Sequence, residues 1–179
     1  MTLSQLTQPD PDQLAPFFGA VFGASEGDEE GRILDALTRD LLTTSPAGDL
    51  WSFIAKDAGQ IIGAILFTRL SYTKDPRFVA LLAPVAVATD RQRRGIGQAL
   101  ITHGLNAMRA TGADIAVTYG DPKYYSQVGF QPVTIDDLPP PQPLSMPIGW
   151  QAQSLSDALL TPVPGPASCV PGFDDPAHW

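Results

Sequence analysis

The sequence predicts an α/β or α+β sandwich around a mixed β-sheet. Two segments with helical periodicity open the chain, the pattern changes to that of strands at Leu50, and strands then alternate with helices to about residue 134. Elements in this order pack as helices against a sheet. The chain of 179 residues has the length of one globular domain.

The N-terminal segments read as a short strand followed by two helices. Leu3–Thr7 is the strand, and apolar residues at helical spacing predict the first helix over Pro11–Phe22. Asp10 is the expected N-cap, with a proline at the first helical position, where a missing N–H is tolerated. The second helix is predicted over Asp28–Leu42, with acidic residues in its first turn.

Three strands are predicted next. Leu50–Lys56 and Gln60–Leu70 form a hairpin, a polar loop containing Asp75 and Pro76 follows, and Phe78–Val87 is a buried central strand. This strand contains Pro84, which has no N–H to donate to a ladder. We therefore expect strand pairing to be interrupted near Ala83 to Val85.

The next part of the chain alternates helices and strands. A long helix is predicted over Arg94–Ala110, a strand over Asp114–Thr118, a short helix over Pro122–Gln127 and a last strand near Phe130–Thr134.

The C-terminal residues have a different composition. Prolines are dense after Leu138, although Trp150–Leu155 could add a strand. Phe173 and Trp179 suggest that the tail packs on the rest of the protein. We divide the chain into a domain over residues 1–135 and a Pro-rich extension over residues 136–179.

Composition excludes several classes of function. The net charge of −8 argues against nucleic acid as the main partner. Neither Met1–Asp10 nor the longest apolar run, Val79–Val87, predicts a signal or a membrane span. A single cysteine, Cys169, leaves no intramolecular disulfide or multi-Cys metal site, and we expect a cytoplasmic protein without a metal. His103 and His178 have no partner pattern and are interpreted as structural.

A strand, a basic turn and a helix follow one another over Val85–Leu100. Helix N-termini present unpaired N–H groups and a partial positive charge, and this one has three arginines, Arg91, Arg93 and Arg94, beside it. The segment predicts a pyrophosphate site. A P-loop would need a Gly-Lys-Ser/Thr ending, and a dinucleotide fingerprint would need a third glycine near Leu100; both are absent.

Two motifs resemble those of the GNAT N-acetyltransferase superfamily. Gln92-x-x-Gly95-x-Gly97 resembles its acetyl-coenzyme A motif, and Tyr125-x-x-x-Gly129-Phe130 resembles its second signature, with Tyr125 28 residues after Gly97. The flanking sequence looks like a bacterial subgroup of predicted small-molecule N-acetyltransferases. The resemblance extends over about residues 2–133.

The resemblance implies a mixed, mostly antiparallel central sheet that is splayed in the middle and flanked by helices, with acetyl-CoA as co-substrate. The pantetheine arm would pair with the strand backbone, and the pyrophosphate would bind N–H groups of the turn and helix. The implied pantetheine contacts are Val85, Ala86 and Val87. The implied pyrophosphate contacts are Gln92, Arg93, Arg94, Gly95, Ile96, Gly97 and Gln98. Tyr125 matches the proton donor to the leaving thiolate, and Tyr124 is interpreted as packing or pocket wall.

The general base stays open at this point, because the strand Phe78–Val87 contains no carboxylate. Asp75, Asp121, a water chain or an acceptor of low pKa are the alternatives. Glu29 and Glu30 lie where the family often shapes its acceptor pocket, but compensation of the helix dipole explains them equally well.

The function that follows is transfer of acetyl to the primary amine of a small-molecule acceptor. Two alternatives remain: an acyl-CoA-binding sensor without turnover, and a protein N-acetyltransferase, for which an acidic groove would be expected. Family members commonly dimerise, so a homodimer is also expected.

Overall fold

Eight strands form one open, mostly antiparallel sheet in the computed structural model, which describes residues 1–179. The strands are β1 (Thr2–Leu6), β2 (Leu50–Asp57), β3 (Gln60–Tyr72), β4 (Asp75–Val87), β5 (Ile115–Tyr119), β6 (Gln131–Pro132), β7 (Trp150–Ser154) and β8 (Ala167–Ser168). Their order is β1-β2-β3-β4-β5-β7-β6, with β8 paired to the end of β3. The β4–β5 pair is parallel, and the other pairs are antiparallel. The fold class predicted from the sequence is confirmed.

Four helices flank this sheet. They are α1 (Pro11–Glu26), α2 (Asp28–Thr44), α3 (Ile96–Ala110) and α4 (Pro122–Tyr125). Short 3-10 turns occupy Thr89–Arg91, Ser126–Val128, Pro147–Gly149, Pro171–Phe173 and Pro176–His178. None of the helices combines the length and apolarity that crossing a bilayer would need.

The sheet separates two hydrophobic cores. On one face, α1, α2 and the C-terminal residues pack against side chains such as Ile54, Leu66 and Leu81. On the other face, α3 packs against side chains such as Phe67 and Leu82. Successive strand residues point to opposite faces, so each central strand contributes to both cores.

The helix starts follow local backbone chemistry. Asp10 caps α1 as predicted, because its side chain accepts a hydrogen bond of 2.9 Å from the N–H of Asp12. Helix α3 begins at Ile96, two residues later than predicted. Arg93 and Gly95 adopt positive φ angles of 60° and 76°, which a helix cannot contain, so the chain enters the helix only after Gly95.

Two strand predictions need correction. The prediction of a polar loop at Asp75 and Pro76 is wrong, because both residues belong to β4, where Asp75 pairs with Tyr72. The Asp75 carboxylate accepts a bidentate pair of hydrogen bonds from Arg77, at 2.9 and 2.7 Å, which holds the strand start in place. The last predicted strand is shorter than expected, since only Gln131 and Pro132 are paired.

The predicted interruption of pairing in β4 is confirmed. Ile65 of β3 pairs with Val85, but Phe67, two residues on, pairs with Leu82, so β4 has one extra residue at this point. The bulge contains Pro84, as expected for a residue that cannot donate to the ladder. On the other edge of β4, pairing with β5 ends at Leu82 and Thr118. Beyond these residues the two strands separate, and the sheet is splayed.

The C-terminal residues contribute to the sheet itself. Strand β7 confirms the strand expected at Trp150–Leu155, although it ends one residue earlier, and it lies between β5 and β6. Trp150 and Phe173 each lie about edge-on to Trp179, with ring centroids 6.0 and 5.9 Å from it. The Trp179 indole N–H donates to the carbonyl of Phe173 at 2.8 Å. The division at residue 135 stays a prediction.

Helices α1 and α2 cross at a contact between glycines. A Cβ on Gly31 would lie 2.7 Å from the carbonyl oxygen of Gly19 and 2.9 Å from the Cα of Gly23. Both neighbours are backbone atoms that cannot move without moving the helix. The crossing therefore requires glycine at position 31.

We expect Gly31→Ala to lower the free energy of unfolding by about 1–3 kcal/mol, because the added methyl group forces the two helices apart. The matched control is Gly23→Ala, whose Cβ would lie at an ordinary 3.6 Å from the Cα of Gly31. This control should gain up to about 1 kcal/mol from the higher helix propensity of alanine. Urea unfolding followed by circular dichroism measures both; equal effects of the two variants would contradict the close crossing.

Candidate active site

A cavity of about 1330 Å³ opens where β4 and β5 separate. Its walls come from the C-terminal half of β4, the turn and first residues of α3, the segment from β5 to α4, the facing parts of α1 and α2, and residues 145–149 and 173–179. It is lined by side chains from both cores, among them Leu34 and Leu81 from the α1/α2 face and Val85 and Tyr125 from the α3 face. The cavity therefore passes through the sheet at the splay.

Strand β4 presents its free edge to this cavity. The N–H of Ala88 donates to Ile62 of β3, so the alternation of an antiparallel ladder turns the backbone groups of Val85 and Val87 away from β3, towards the open side. The side chains of Val85 and Val87 line the cavity, whereas that of Ala86 is 3% exposed and packs in the core on the α1/α2 face.

The N-terminus of α3 faces the same cavity. No side chain caps this helix, which leaves the N–H groups of its first turn without intrahelical partners. Gly95, Ile96, Gly97 and Gln98 line the cavity. Gln92 also lines it and donates its side-chain N–H to the carbonyl of Val87 at 3.1 Å, which ties the turn to the strand end.

The three arginines of the basic turn have different environments. Arg91 forms ion pairs with Asp57 at 3.0 Å and Asp90 at 3.3 Å. Arg94 donates to the carbonyl of Asp90 at 3.0 Å and does not line the cavity. Arg93 lines the cavity and has no carboxylate or hydrogen-bond partner. Arg93 is therefore the cation of this turn that is placed to meet a ligand in the cavity.

Two tyrosines of α4 are packed against glycines. A Cβ on Gly97 would collide with the Tyr124 hydroxyl, and one on Gly120 would lie 2.8 Å from the Tyr125 ring. The two tyrosine rings are in edge-to-face contact with centroids 5.1 Å apart, and Phe130 supports the Tyr125 ring at 5.8 Å. Both tyrosines line the cavity, and only glycine at these two positions leaves room for them there.

The Tyr125 phenol is held in its neutral form. Burial raises the pKa of Tyr125 to about 12; the nearby Thr118 hydroxyl opposes this shift, and Tyr124 adds to it. Burial also raises the pKa of Tyr124. At neutral pH both phenols are hydrogen-bond donors.

Polar contacts from buried side chains hold the cavity wall. The Thr118 hydroxyl donates to the carbonyl of Leu82 at 3.0 Å, at the point where β4 and β5 separate. The buried Gln151 amide donates to the carbonyls of Gly120 and Gly149 at 3.2 and 3.3 Å. Sequence reasoning missed both residues, because their role depends on how β7 is placed beside β5.

The carboxylates considered as general bases divide into those that line the cavity and those that lie outside it. Asp75 lies outside the cavity, and hydrogen bonds from Arg77 lower the pKa of its carboxyl. Asp121 lines the cavity and caps α4 by accepting from the N–H of Lys123 at 2.9 Å. Glu30 also lines the cavity and is partly buried, whereas Glu29 is exposed and does not line it.

Two cavity residues with acid or base side chains were not expected from the sequence, where His178 is interpreted as structural. Glu26 comes from the end of α1, and His178 packs its ring edge-to-face on Phe173. His103 stays outside the cavity and lies edge-to-face on Phe53 at 5.9 Å. No group of three or more His, Cys, Asp or Glu side chains is arranged to hold a metal ion.

Comparison with known sequences identifies the class of enzyme. A family model described as acetyltransferase (GNAT) domain matches residues 49–132. The uncharacterized N-acetyltransferase YjhQ of Escherichia coli K12 is 32% identical over 130 residues, which are 70% of this chain and 72% of YjhQ. YhbS, another uncharacterized N-acetyltransferase of that organism, is 29% identical over 152 residues, which are 84% of this chain and 87% of YhbS.

Solved structures agree with this result. The crystal structure of YhbS from Escherichia coli in complex with CoA superimposes with a TM-score of 0.74 at 26% identity, covering 97% of this chain and 92% of that one. A GNAT family acetyltransferase from Brucella melitensis in complex with acetyl-CoA gives a TM-score of 0.67 at 24% identity, covering 97% and 99%. The protein is an N-acetyltransferase that uses acetyl-CoA as co-substrate. It belongs to the GNAT acetyltransferase family.

We expect the Tyr125 phenol to ionise near pH 12, well above the ordinary value of about 10. Its pKa is raised on folding, so its contribution to the free energy of unfolding is complete below about pH 10 and falls as the pH rises towards about 12. The difference in tyrosinate absorbance between the wild type and Tyr125→Phe isolates this one titration. A difference curve centred near pH 10 in folded protein would contradict the burial of the phenol.

Proposed function

We propose that the cavity transfers the acetyl group of acetyl-CoA directly to the primary amine of a small-molecule acceptor. The observation that carries this proposal is the passage of the cavity through the splayed sheet. A cofactor on the α3 face and an acceptor on the α1/α2 face can then meet between β4 and β5. Direct transfer needs such a meeting point, because it brings the amine and the thioester together in one complex.

The α3 face has the features that coenzyme A requires. The outward-facing backbone groups of Val85 and the N–H of Val87, with Ala86 between them, would pair with the amides of the pantetheine arm as an added strand does. The pyrophosphate would bind the N–H groups from Gln92 to Gln98, where the helix dipole favours an anion. Arg93 would supply a charge-assisted hydrogen bond, and Arg94 would act at longer range from outside the cavity.

The reaction has a simple balance of bonds. The nitrogen lone pair of the neutral amine attacks the thioester carbonyl carbon, a C–N bond forms, and backbone N–H groups stabilise the resulting oxyanion. The C–S bond then breaks, and its electron pair leaves with the sulfur as the thiolate of coenzyme A. The nitrogen loses one proton, and the thiolate gains one. Tyr125 would stabilise the departing thiolate as a hydrogen-bond donor.

The surroundings of the acceptor compartment support a small acceptor. Residues 145–149 and 173–179 form part of the wall on this side and reduce the room for a protein chain. Asp121, Glu30 and His178 line the cavity and are the candidates for taking the first proton from the acceptor. A cytoplasmic location, supported by the single cysteine, and a homodimer are further expectations of the same proposal.

The main alternative is a sensor that binds acyl-CoA without turning it over. It differs from the enzyme in one respect that can be measured, the contribution of Tyr125 to a chemical step. We therefore test binding and turnover separately.

We expect Tyr125→Phe to lower kcat about 10²-fold, because the variant loses the hydrogen bond to the leaving sulfur. The dissociation constant of acetyl-CoA, measured by calorimetry, should change less than about twofold, since the pyrophosphate and strand contacts remain. The control is Tyr72→Phe, which removes a phenol outside the cavity that donates to the carbonyl of Pro139. A wild-type kcat in Tyr125→Phe would refute the proposed role.

We expect Arg93→Ala to raise the dissociation constant of acetyl-CoA about tenfold or more, the effect of one charge-assisted hydrogen bond. The matched control is Arg91→Ala, which removes the same charge two residues away from a side chain already paired with Asp57. It should change this constant only two- to threefold, through long-range electrostatics that salt screens. Equal losses in both variants would show that only the net charge of the turn matters.

A further inference from the structure

The acceptor side of the cavity has mainly apolar walls. One side of α2 lines it, because Glu30, Ile33, Leu34 and Leu37 are spaced so that they fall on one helix face. Phe173 and Trp179 of the C-terminal segment complete the wall, and both are nearly buried. A ligand in this space contacts aliphatic and aromatic surface over most of its length.

The mouth of this compartment is also apolar. Six large hydrophobic side chains of the protein are exposed, and three of them line the cavity: Ile33 at 40%, Met146 at 65% and Ile148 at 72%. Ile33 lies on α2, and the other two lie on the segment that follows the Pro-rich stretch. Exposed apolar side chains that gather at the rim of a cavity mark a site that a hydrophobic ligand covers.

Four charged side chains line the cavity. Glu26 and Glu30 belong to the α1/α2 side, Asp121 precedes α4, and the cation Arg93 belongs to the turn before α3. Carboxylates near low-dielectric walls draw an ammonium ion into the cavity and repel an anion. A cationic acceptor would therefore be attracted to the α1/α2 side, where two of the three lining carboxylates lie.

Apart from the ionisable side chains of Glu26, Glu30 and His178, few hydrogen-bonding groups line the acceptor side. The Ser145 hydroxyl contacts the Tyr119 hydroxyl at 2.9 Å, and that same phenol oxygen accepts from the N–H of Met146 at 2.6 Å. A polyhydroxylated amine would lose its hydrogen bonds to water on entry and regain few of them. This composition disfavours amino sugars.

We propose that the acceptor is a primary amine on an apolar body, an arylalkyl or alkyl monoamine. The inference rests on the proposed function, since it names the acceptor class of the same site. The apolar body lies between α2 and residues 145–149, and the amine points inward to the thioester. Glu26 and Glu30 attract the ammonium form before it loses its proton.

The test measures the release of free thiol from acetyl-CoA by the full-length protein with five probes. 2-Phenylethylamine and hexylamine represent the proposed class, spermidine and kanamycin represent polycations, and a lysine-containing peptide represents a protein acceptor. We expect kcat/KM for the two apolar monoamines to exceed that for each of the others at least tenfold. Binding of acetyl-CoA is measured separately by calorimetry.

Two pairs of variants locate the acceptor. Ile148→Ser should lower kcat/KM for hexylamine severalfold by raising its KM, whereas Leu159→Ser, at a side chain 88% exposed and outside the cavity, should have no effect. Glu30→Gln should raise the KM for the amine and leave the KM for acetyl-CoA unchanged. Its control is Glu29→Gln, which removes the same charge from the same helix turn but lies outside the cavity.

The outcomes separate the two proposals. Faster release with spermidine, kanamycin or the peptide than with either monoamine leaves the enzyme in place and overturns the apolar acceptor. A second result would be a preference for the monoamines but equal effects of Ile148→Ser and Leu159→Ser, or of Glu30→Gln and Glu29→Gln. Such a result overturns the proposed position of the acceptor in the cavity. Tight binding of acetyl-CoA with no thiol release for any probe refutes the proposed function, and this inference with it.

Discussion

The separation of β4 from β5 is the constraint on which the rest of the site depends. Parallel pairing holds the strands together as far as Leu82 and Thr118, where the Thr118 hydroxyl donates a hydrogen bond to the carbonyl of Leu82. Beyond that point Pro84 lies in a bulge, and the free backbone groups of β4 have no strand partner. A continuous ladder here would bond those groups to β5 and fill the space between the strands. The cavity and the strand edge thus share one structural cause.

The two sides of the gap are coupled through close contacts. Tyr124 packs on Gly97 of α3, and Tyr125 packs on Gly120 at the end of β5. Gly120 is in turn fixed by Gln151 of β7, whose amide also bonds Gly149. A displacement of β7 would therefore be passed to the Tyr125 ring through atoms in contact. In this way the C-terminal segment helps to fix the wall of a cavity whose sequence motifs lie entirely before it in the chain.

The sequence predicts those parts of the structure that depend on local backbone chemistry. Asp10 as a cap, the bulge at Pro84 and the order of strand, basic turn and helix can all be read from neighbouring residues. The place of β7 between β5 and β6 could not be predicted, because it depends on pairing across more than thirty residues of chain. For the same reason the approach of His178 and Glu26 to the cavity was missed. The burial of the Ala86 side chain, by contrast, follows from strand alternation and could have been inferred.

The proton balance of the proposed reaction limits what Tyr125 can do. Burial raises the pKa of the Tyr125 phenol to about 12, above the ordinary value of about 8.5 for a thiol, so transfer of its proton to the sulfur would be uphill. In the proposed reaction Tyr125 would therefore stabilise the sulfur as a hydrogen-bond donor and keep its proton. The proton that the thiolate gains would come from the attacking nitrogen, which becomes acidic once the C–N bond has formed. A protein base is then needed only for the first proton of the ammonium ion, before attack. Asp121, Glu30 and His178 line the cavity and would be available to take that proton, so β4 needs no carboxylate beside the thioester.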